Sequence, residues 1–262
     1  MTNAALHVAR TGLDAQNERM RVIANNLANV NTTGFKRDRA QFETLAYQQI
    51  TNPGAPSSDQ NKYATGLNLG SGVQIMSTSR IDTQGSLQTT GNSLDIAIQG
   101  SGFFQIQQPD GTTAYTRDGN FHLSAEGTIV TSDGMPLQPQ IQVPQGATSI
   151  TIAADGTVSA TLQGQKDSSN LGKLQTASFT NPTGLQAIGN NLLLESASSG
   201  AAQVGDPGVE GRGALAQGSL ESSNVDITQE LVDMIETQRA YEVNSKLIKA
   251  TDEMLQNANQ QL

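Results

Sequence analysis

The chain has 262 residues, enough for one or two domains and a sizeable core. It contains no Cys, which excludes disulfide support, thiol catalysis and Cys-ligated metal. Its net charge of −9 makes it a poor nucleic-acid binder, and with no apolar run of 18 residues no membrane insertion is expected.

Only 15% of residues are charged and 4% aromatic, and 26 glycines sit among abundant Gln, Asn, Ser and Thr. That profile fits β-rich extracellular and filament-forming proteins better than cytosolic enzymes. The N-terminus lacks a basic region followed by an apolar core and a small-residue cleavage site, so a cleaved secretory signal is not expected. Charge is uneven: residues 1–40 carry +3 and residues 221–262 carry −5. The two ends are expected to attract, mostly to set register, because exposed pairs are individually weak.

Residues 3–31 read as a helix with a heptad stripe. Leu6, Leu13, Met20 and Leu27 recur every seven residues, Ala9, Ile23 and Val30 form a second column, and Gln16 is the polar break. Gly12 costs about 1 kcal/mol of helix propensity, which packing must offset. The run Asn25-Asn26-Leu27-Ala28-Asn29-Val30-Asn31 holds four asparagines in seven residues. Their side chains compete for backbone groups, so they belong at a helix end where amides bridge to neighbours. Gly34 suits a left-handed stop, and Phe35 anchors the segment after it.

Residues 45–70 read as an extended, turn-rich arm, since Pro53 and Pro56 exclude a regular helix. By composition alone this would be a linker. Residues 71–220 read as β structure, with short runs at Val73–Ser77, Ser93–Ile98, Phe103–Gln107, Ser149–Ile152, Thr157–Leu162, Lys173–Phe179 and Asn191–Leu194. Asp110-Gly111, Asp118-Gly119, Asp133-Gly134 and Asp155-Gly156 are expected to be tight turns. Strands this short and close suggest an antiparallel sandwich or barrel.

From Ile227 to Leu262 every seventh residue is apolar: Ile227, Met234, Tyr241, Ile248, Leu255 and Leu262. Ala240, Leu247 and Met254 run beside them, and Gln238, Ser245, Asp252 and Asn259 are polar. Asp226 is the expected N-cap, with Glu230 in the first turn. The helix is expected to run about 54 Å, and a stripe so narrow on a helix so long needs a partner. Two such ends predict an antiparallel pair that brings the termini together.

The expected fold class is α+β. N- and C-terminal coiled-coil helices form one helical domain (1–33 and 226–262), an extended linker/arm region occupies 34–70 and 205–225, and an antiparallel all-β domain at 71–204 is inserted between them. The assembly residues are Leu6, Leu13, Met20, Ile23, Leu27, Asn25, Asn26, Asn29, Ile227, Met234, Tyr241, Leu247, Ile248, Leu255 and Leu262, with Gly34 and Phe35 at the junction.

No catalytic, cofactor or metal site is expected. His7 and His122 fall in different structural parts, so a two-His metal site is not expected. Asp118 with His122 and a nearby Ser lacks any ordered triad motif. Gly100-Ser101-Gly102 precedes a strand, the wrong context for cradling phosphate. The Asp-Gly pairs lack the spacing of a calcium loop.

The Asn-rich run through Thr32-Thr33-Gly34-Phe35-Lys36 resembles the N-terminal motif of the axial proteins of the bacterial flagellum, its rod, hook and hook-associated subunits. Gly100-Ser101-Gly102-Phe103-Phe104 with Tyr115-Thr116-Arg117-Asp118-Gly119-Asn120-Phe121 is similar to their central motif. Ser222-Ser223-Asn224-Val225-Asp226 through Gln238-Arg239-Ala240-Tyr241-Glu242 and Asn244-Ser245-Lys246 is similar to their C-terminal motif. Within that family, length and the segment near residues 47–70 most resemble distal rod subunits. The resemblance implies a rigid, hollow, helically polymerised drive shaft that carries torque from motor to hook. It implies export through the flagellar type III apparatus and a periplasmic location in the basal body. The implied partners are other copies of the chain, proximal rod proteins, the hook protein, the bushing rings, and the rod cap and export apparatus during assembly. In distal rod subunits an insertion like residues 47–65 packs against neighbours and stiffens the rod. Alternatives are a proximal rod or hook-type subunit and an extracellular fibre or adhesin. A fibre predicts a receptor-binding tip and leaves the Asn-rich run unexplained; a hydrolase predicts turnover lost with His122→Ala.

Overall fold

The computed structural model describes residues 2–56, 63–162 and 168–260. Two long helices, α1 (Thr2–Ala28) and α2 (Ile227–Gln260), flank a β-rich middle in the sequence. The chain divides into two compact units. The first draws on Met1–Leu27, Asp38–Ser79 and Asp226–Leu262, the second on Ala28–Arg37 and Arg80–Val225. The backbone therefore crosses between units four times, after residues 27, 37, 79 and 225.

In the first unit, α2 starts where its cap stands. Asp226 Oδ1 accepts the Thr228 N–H at 2.9 Å and the Gln229 N–H at 3.4 Å, satisfying donors that a helix start leaves orphaned. α1 stops at Ala28, inside the Asn-rich run. Thr32 folds back there, its N–H on Asn29 O at 3.1 Å and its hydroxyl on Asn29 Oδ1 at 3.1 Å.

The helices meet in opposite senses at three places. Arg19 pairs with Asp233 at 3.8 Å, Asn26 reaches Glu230 at 3.3 Å, and Gly12 lies against Asn244. A Cβ on Gly12 would stand 3.0 Å from Asn244 Nδ2, so the glycine that weakens α1 also permits this approach. α1 is tied further by Thr11, whose hydroxyl accepts the Val73 N–H at 3.4 Å.

Strands Asp38–Thr44 and Val73–Arg80 pair in this unit. Within the arm, Gln48–Thr51 pairs antiparallel with Leu67–Leu69, and Gly54 and Tyr63 close the loop through a 2.8 Å bond. The arm is thus a hairpin at its base. Its Tyr47, Ile50, Leu67 and Leu69 are exposed.

The second unit is antiparallel β. A five-stranded sheet runs in the order Leu137–Gln138, Phe104–Gln107, Thr113–Thr116, Leu192–Leu194, Gln186–Gly189. A bulged three-stranded meander, Ala147–Ile152, Thr157–Leu162 and Ser168–Lys173, accompanies it. Ile96, Ile98, Phe104, Ile106, Phe121, Ile129 and Leu137 form the core, with Phe104 and Phe121 edge to face at 5.1 Å. Phe179 packs a smaller cluster against Phe103 at 5.8 Å and Tyr115 at 4.8 Å.

Asp110 and Asp155 hold turns as expected, each accepting the N–H two residues on, at 2.9 Å and 3.1 Å. The Thr112 hydroxyl and N–H on Asp110, and the Thr157 N–H and hydroxyl on Asp155, hold both carboxyls below the ordinary carboxylate value. Asp118-Gly119 corrects the turn expectation: no tight turn forms there, although Asp118 Oδ1 likewise accepts the Asn120 N–H at 3.1 Å. The Ile96 N–H donates to Gly119 O at 3.0 Å, and a Cβ on Gly119 would lie 1.7 Å from Ile96 O. Close backbone approach selects glycine here, not a turn.

Candidate functional site

Two features stand out, one in each unit. The first is the face that α2 turns inward. Glu230 and Thr237 are buried and Asn244 and Thr251 half-buried, a polar column at period seven. Thr237 gives its hydroxyl to Asp233 O at 2.6 Å, and the Glu230 carboxylate takes the Asn26 amide on both oxygens at 3.3 Å. The apolar residues are left outside: Ile227, Leu231, Val232, Ile235, Tyr241, Leu247 and Met254 are all exposed. Met234 and Ile248 are half-buried, as are Leu6, Leu13, Met20 and Leu27 on α1, while Ile23 is buried. The Leu255 side chain and Leu262 lie outside the described residues.

The Asn-rich run separates into roles. Asn25 is exposed and Asn29 half-buried, but Asn26 is 1% exposed. Its Nδ2 donates to Asp38 O at 2.8 Å and its Oδ1 accepts the Asp38 N–H at 2.9 Å, so the side-chain amide mimics a neighbouring strand. With Glu230 as third partner, Asn26 joins α1, α2 and the strand that starts at Asp38. Asn26→Ala orphans these buried groups and is expected to destabilise the first unit by about 1–3 kcal/mol. Exposed Asn31→Ala is expected to stay within about 0.5 kcal/mol. Urea denaturation followed by helical circular dichroism checks both.

The second feature is a buried ion cluster at the junction. The Glu221 side chain has 0% exposure, with Lys36 at 3% and Arg117 at 8% around it. Lys36 Nζ donates to Glu221 Oε1 and, at 2.8 Å, to Thr83 O. The Gly85 N–H donates to the same oxygen at 3.0 Å, and Arg117 reaches Oε2 at 3.2 Å. Arg117 also donates to Gly100 O at 2.7 Å and lies over the Phe103 ring at 5.4 Å. Burial pulls Lys36 below its ordinary range, with the Glu221 contact opposing it, and burial likewise lowers Arg117.

Gly34 has φ +67°, and a Cβ there would lie 2.6 Å from the Arg117 carbonyl carbon. Its N–H donates to Glu221 O at 2.8 Å, and half-buried Phe35 accepts the Asn224 N–H at 3.4 Å. Thr33 gives its hydroxyl to Asp118 Oδ1 at 2.8 Å. Asp118 is therefore engaged with the junction, while the exposed His122 ring meets Ser132 at 3.4 Å. Sequence reasoning missed Lys36, Arg117 and Glu221 as a set. Lys36 and Arg117 stand inside the motifs and Glu221 one residue before the third, but no spacing within one segment reveals a partner in another.

Three family models match the chain. The flagella basal body rod protein model covers residues 6–36, the flagellar hook protein FlgE/F/G D1 domain covers 97–160, and the flagellar basal body rod FlgEFG protein C-terminal model covers 216–261. The flagellar basal-body rod protein FlgG of Buchnera aphidicola subsp. Acyrthosiphon pisum is 51% identical over 98% of both chains. The chain belongs to the FlgG family. FlgG of Caulobacter vibrioides is 49% identical over 98% of both chains, and FlgG of Bacillus subtilis 40% over 96% of both. Each family-matched segment contributes one member of the ion cluster: Lys36 ends the first, Arg117 lies in the second and Glu221 in the third.

Proposed function

We propose that the apolar residues left exposed on α2, together with the half-buried Leu6, Leu13, Met20 and Leu27 of α1, are the surfaces by which copies of this chain coil together into the distal rod. The chain is a structural subunit of the flagellar basal-body rod, in the periplasm, and members of the family polymerise and interact with other rod and hook proteins. The observation that carries the finer reading is the division of α2 into faces. Its polar column is used within the chain, while Ile227 and Tyr241 of its apolar heptad column stand exposed, with Leu231, Val232, Ile235, Leu247 and Met254 exposed beside them.

In this reading the terminal helices, residues 1–33 and 226–262, pack knobs-into-holes with neighbouring copies. The β domain at 71–204 serves as the outer wall, and the 34–70 and 205–225 segments link and brace. A contact between unlike surfaces that does not close on itself builds a filament, as a shaft requires. The exposed Tyr47, Ile50, Leu67 and Leu69 support a bracing role for the arm. The proximal rod, hook protein, bushing rings, rod cap and export apparatus are the partners proposed, and the role is structural rather than enzymatic.

The test is a flagellated cell whose only FlgG copy is this chain. The intact chain is expected to support swimming. Ile248→Asp sets a charge in the packed seam and is expected to leave the subunit exported but the cell without hooks or swimming. Asp252→Ala, on the exposed face, is expected to swim normally. Normal swimming with Ile248→Asp would remove the coiled-helix reading.

A further inference from the structure

We propose that Glu221 is a positioning residue of the second unit, a single buried residue that holds together the straps by which the backbone enters and leaves that unit. The backbone crosses after residues 27, 37, 79 and 225, so the straps on that unit's side are residues 28–37, 80–85 and 221–225. All three converge on Glu221. The first strap contributes the Lys36 ammonium on the carboxylate Oε1, and its Gly34 N–H donates to the Glu221 backbone O at 2.8 Å. The second contributes the Gly85 N–H on Oε1 at 3.0 Å and Thr83 O, which accepts from Lys36 at 2.8 Å. The third contains Glu221 itself.

The straps also hold one another. Ile81 N–H donates to Arg37 O at 2.9 Å and Arg37 N–H to Asn224 Oδ1 at 2.8 Å. Asn224 Nδ2 then donates to Ile81 O at 2.8 Å and Thr83 O at 3.0 Å. Arg117 joins this set to the body of the unit, through Glu221 Oε2, Gly100 O and the Phe103 ring.

A carboxylate is suited to this position. It accepts several donors from different directions, and its charge offsets two buried cations that a neutral residue would leave without a counter-ion. Apart from Arg117, its partners lie on the straps and not in the Phe104–Phe121 core. Removing it should therefore loosen the straps before the core. Any load passing along the backbone enters the second unit through these segments, so the clamp sets how firmly that unit holds them. This mechanical consequence rests on the rod reading above; the clamp itself does not.

The experiment uses the full chain, as Glu221→Gln and as Lys36→Met, the latter keeping the Glu221–Arg117 pair intact. In Lys36→Met, hydrogen exchange by mass spectrometry is expected to quicken about tenfold at Gly34, Gly85 and Ser222, with Phe104–Gln107 unchanged; in Glu221→Gln the straps are expected to quicken more than Phe104–Gln107. Uniform quickening across the second unit in Lys36→Met, or none at the straps in either variant, overturns the clamp. If Glu221→Gln does not fold, Lys36→Met decides. In cells carrying Lys36→Met, isolated basal bodies are expected to show rods that bend, and swimming is expected to fail first in viscous medium. Straight rods and unimpaired swimming under load would overturn the mechanical role. Failure of the intact chain to restore swimming strikes the rod reading instead, and exchange still decides the clamp.

Discussion

Glu221→Gln is expected to destabilise the second unit by about 3–5 kcal/mol, and Lys36→Met to change it by less than about 1 kcal/mol. The two substitutions remove opposite ends of one ion pair, so the asymmetry comes from what each leaves behind. Glutamine at 221 leaves Lys36 and Arg117 buried, both cationic, with their shared counter-charge gone. Methionine at 36 leaves one carboxylate facing one guanidinium, with an apolar stem where the lysine stem lay. The sign is supported by Lys36 itself, whose ammonium is held below its ordinary 10.5 because burial outweighs the Glu221 contact. The unfolded chain then binds that proton more tightly than the folded chain. Stability from this group is full above 10.5 and falls as pH drops toward the lowered folded value. Burial of this ammonium thus opposes folding below the lowered value. Urea denaturation of the full chain, followed by tyrosine fluorescence, measures both substitutions. Lys36→Met should also flatten the alkaline rise in stability. Equal losses for the two would mean that the pair acts as an ordinary buried bridge.

Features governed by near neighbours were legible in the sequence. Asp226 caps α2 where it stands in the chain, and Asp110 and Asp155 make their turns because the groups they bind lie two residues away. The α+β class and the β-rich middle followed from the change of hydrophobic period. Long-range pairing was not legible. Asp118-Gly119 has the composition of a turn, yet its glycine answers to Ile96, more than twenty positions earlier. Glu230, Thr237, Asn244 and Thr251 also recur at seven, but a search for apolar columns passes over them. On α2 these polar residues face inward while Ile227, Tyr241, Leu247 and Met254 stay exposed. The ion cluster was the least visible feature, because its three members stand 81 and 104 positions apart and only the folded chain brings them together.

Gly34→Ala is expected to cost the second unit about 3 kcal/mol or more, well beyond the usual penalty for alanine in a left-handed position. Two separate demands fall on this residue. Its φ of +67° disfavours any residue with a Cβ, a conformational penalty of about 1–2 kcal/mol. That Cβ would also stand 2.6 Å from the Arg117 carbonyl carbon and 2.7 Å from the Asp118 nitrogen, both backbone atoms with no rotamer to escape by. The strap must then lift, which stretches the Gly34 bond to Glu221 O and the Thr33 bond to Asp118. Gly111 is the control, with φ +86° and nothing within 4 Å of its would-be Cβ. Gly111→Ala is therefore expected to cost only about 1 kcal/mol, partly offset by the stiffer unfolded chain. Gly34→Asn separates the two demands further. Asparagine tolerates the left-handed region but still carries a Cβ, so it should recover little of the loss at 34. Thermal and urea denaturation of the three variants measure this directly. If Gly34→Asn restored near-native stability, the residue would be a helix stop alone, and the close contact between the strap and Arg117-Asp118 would play no part in its selection.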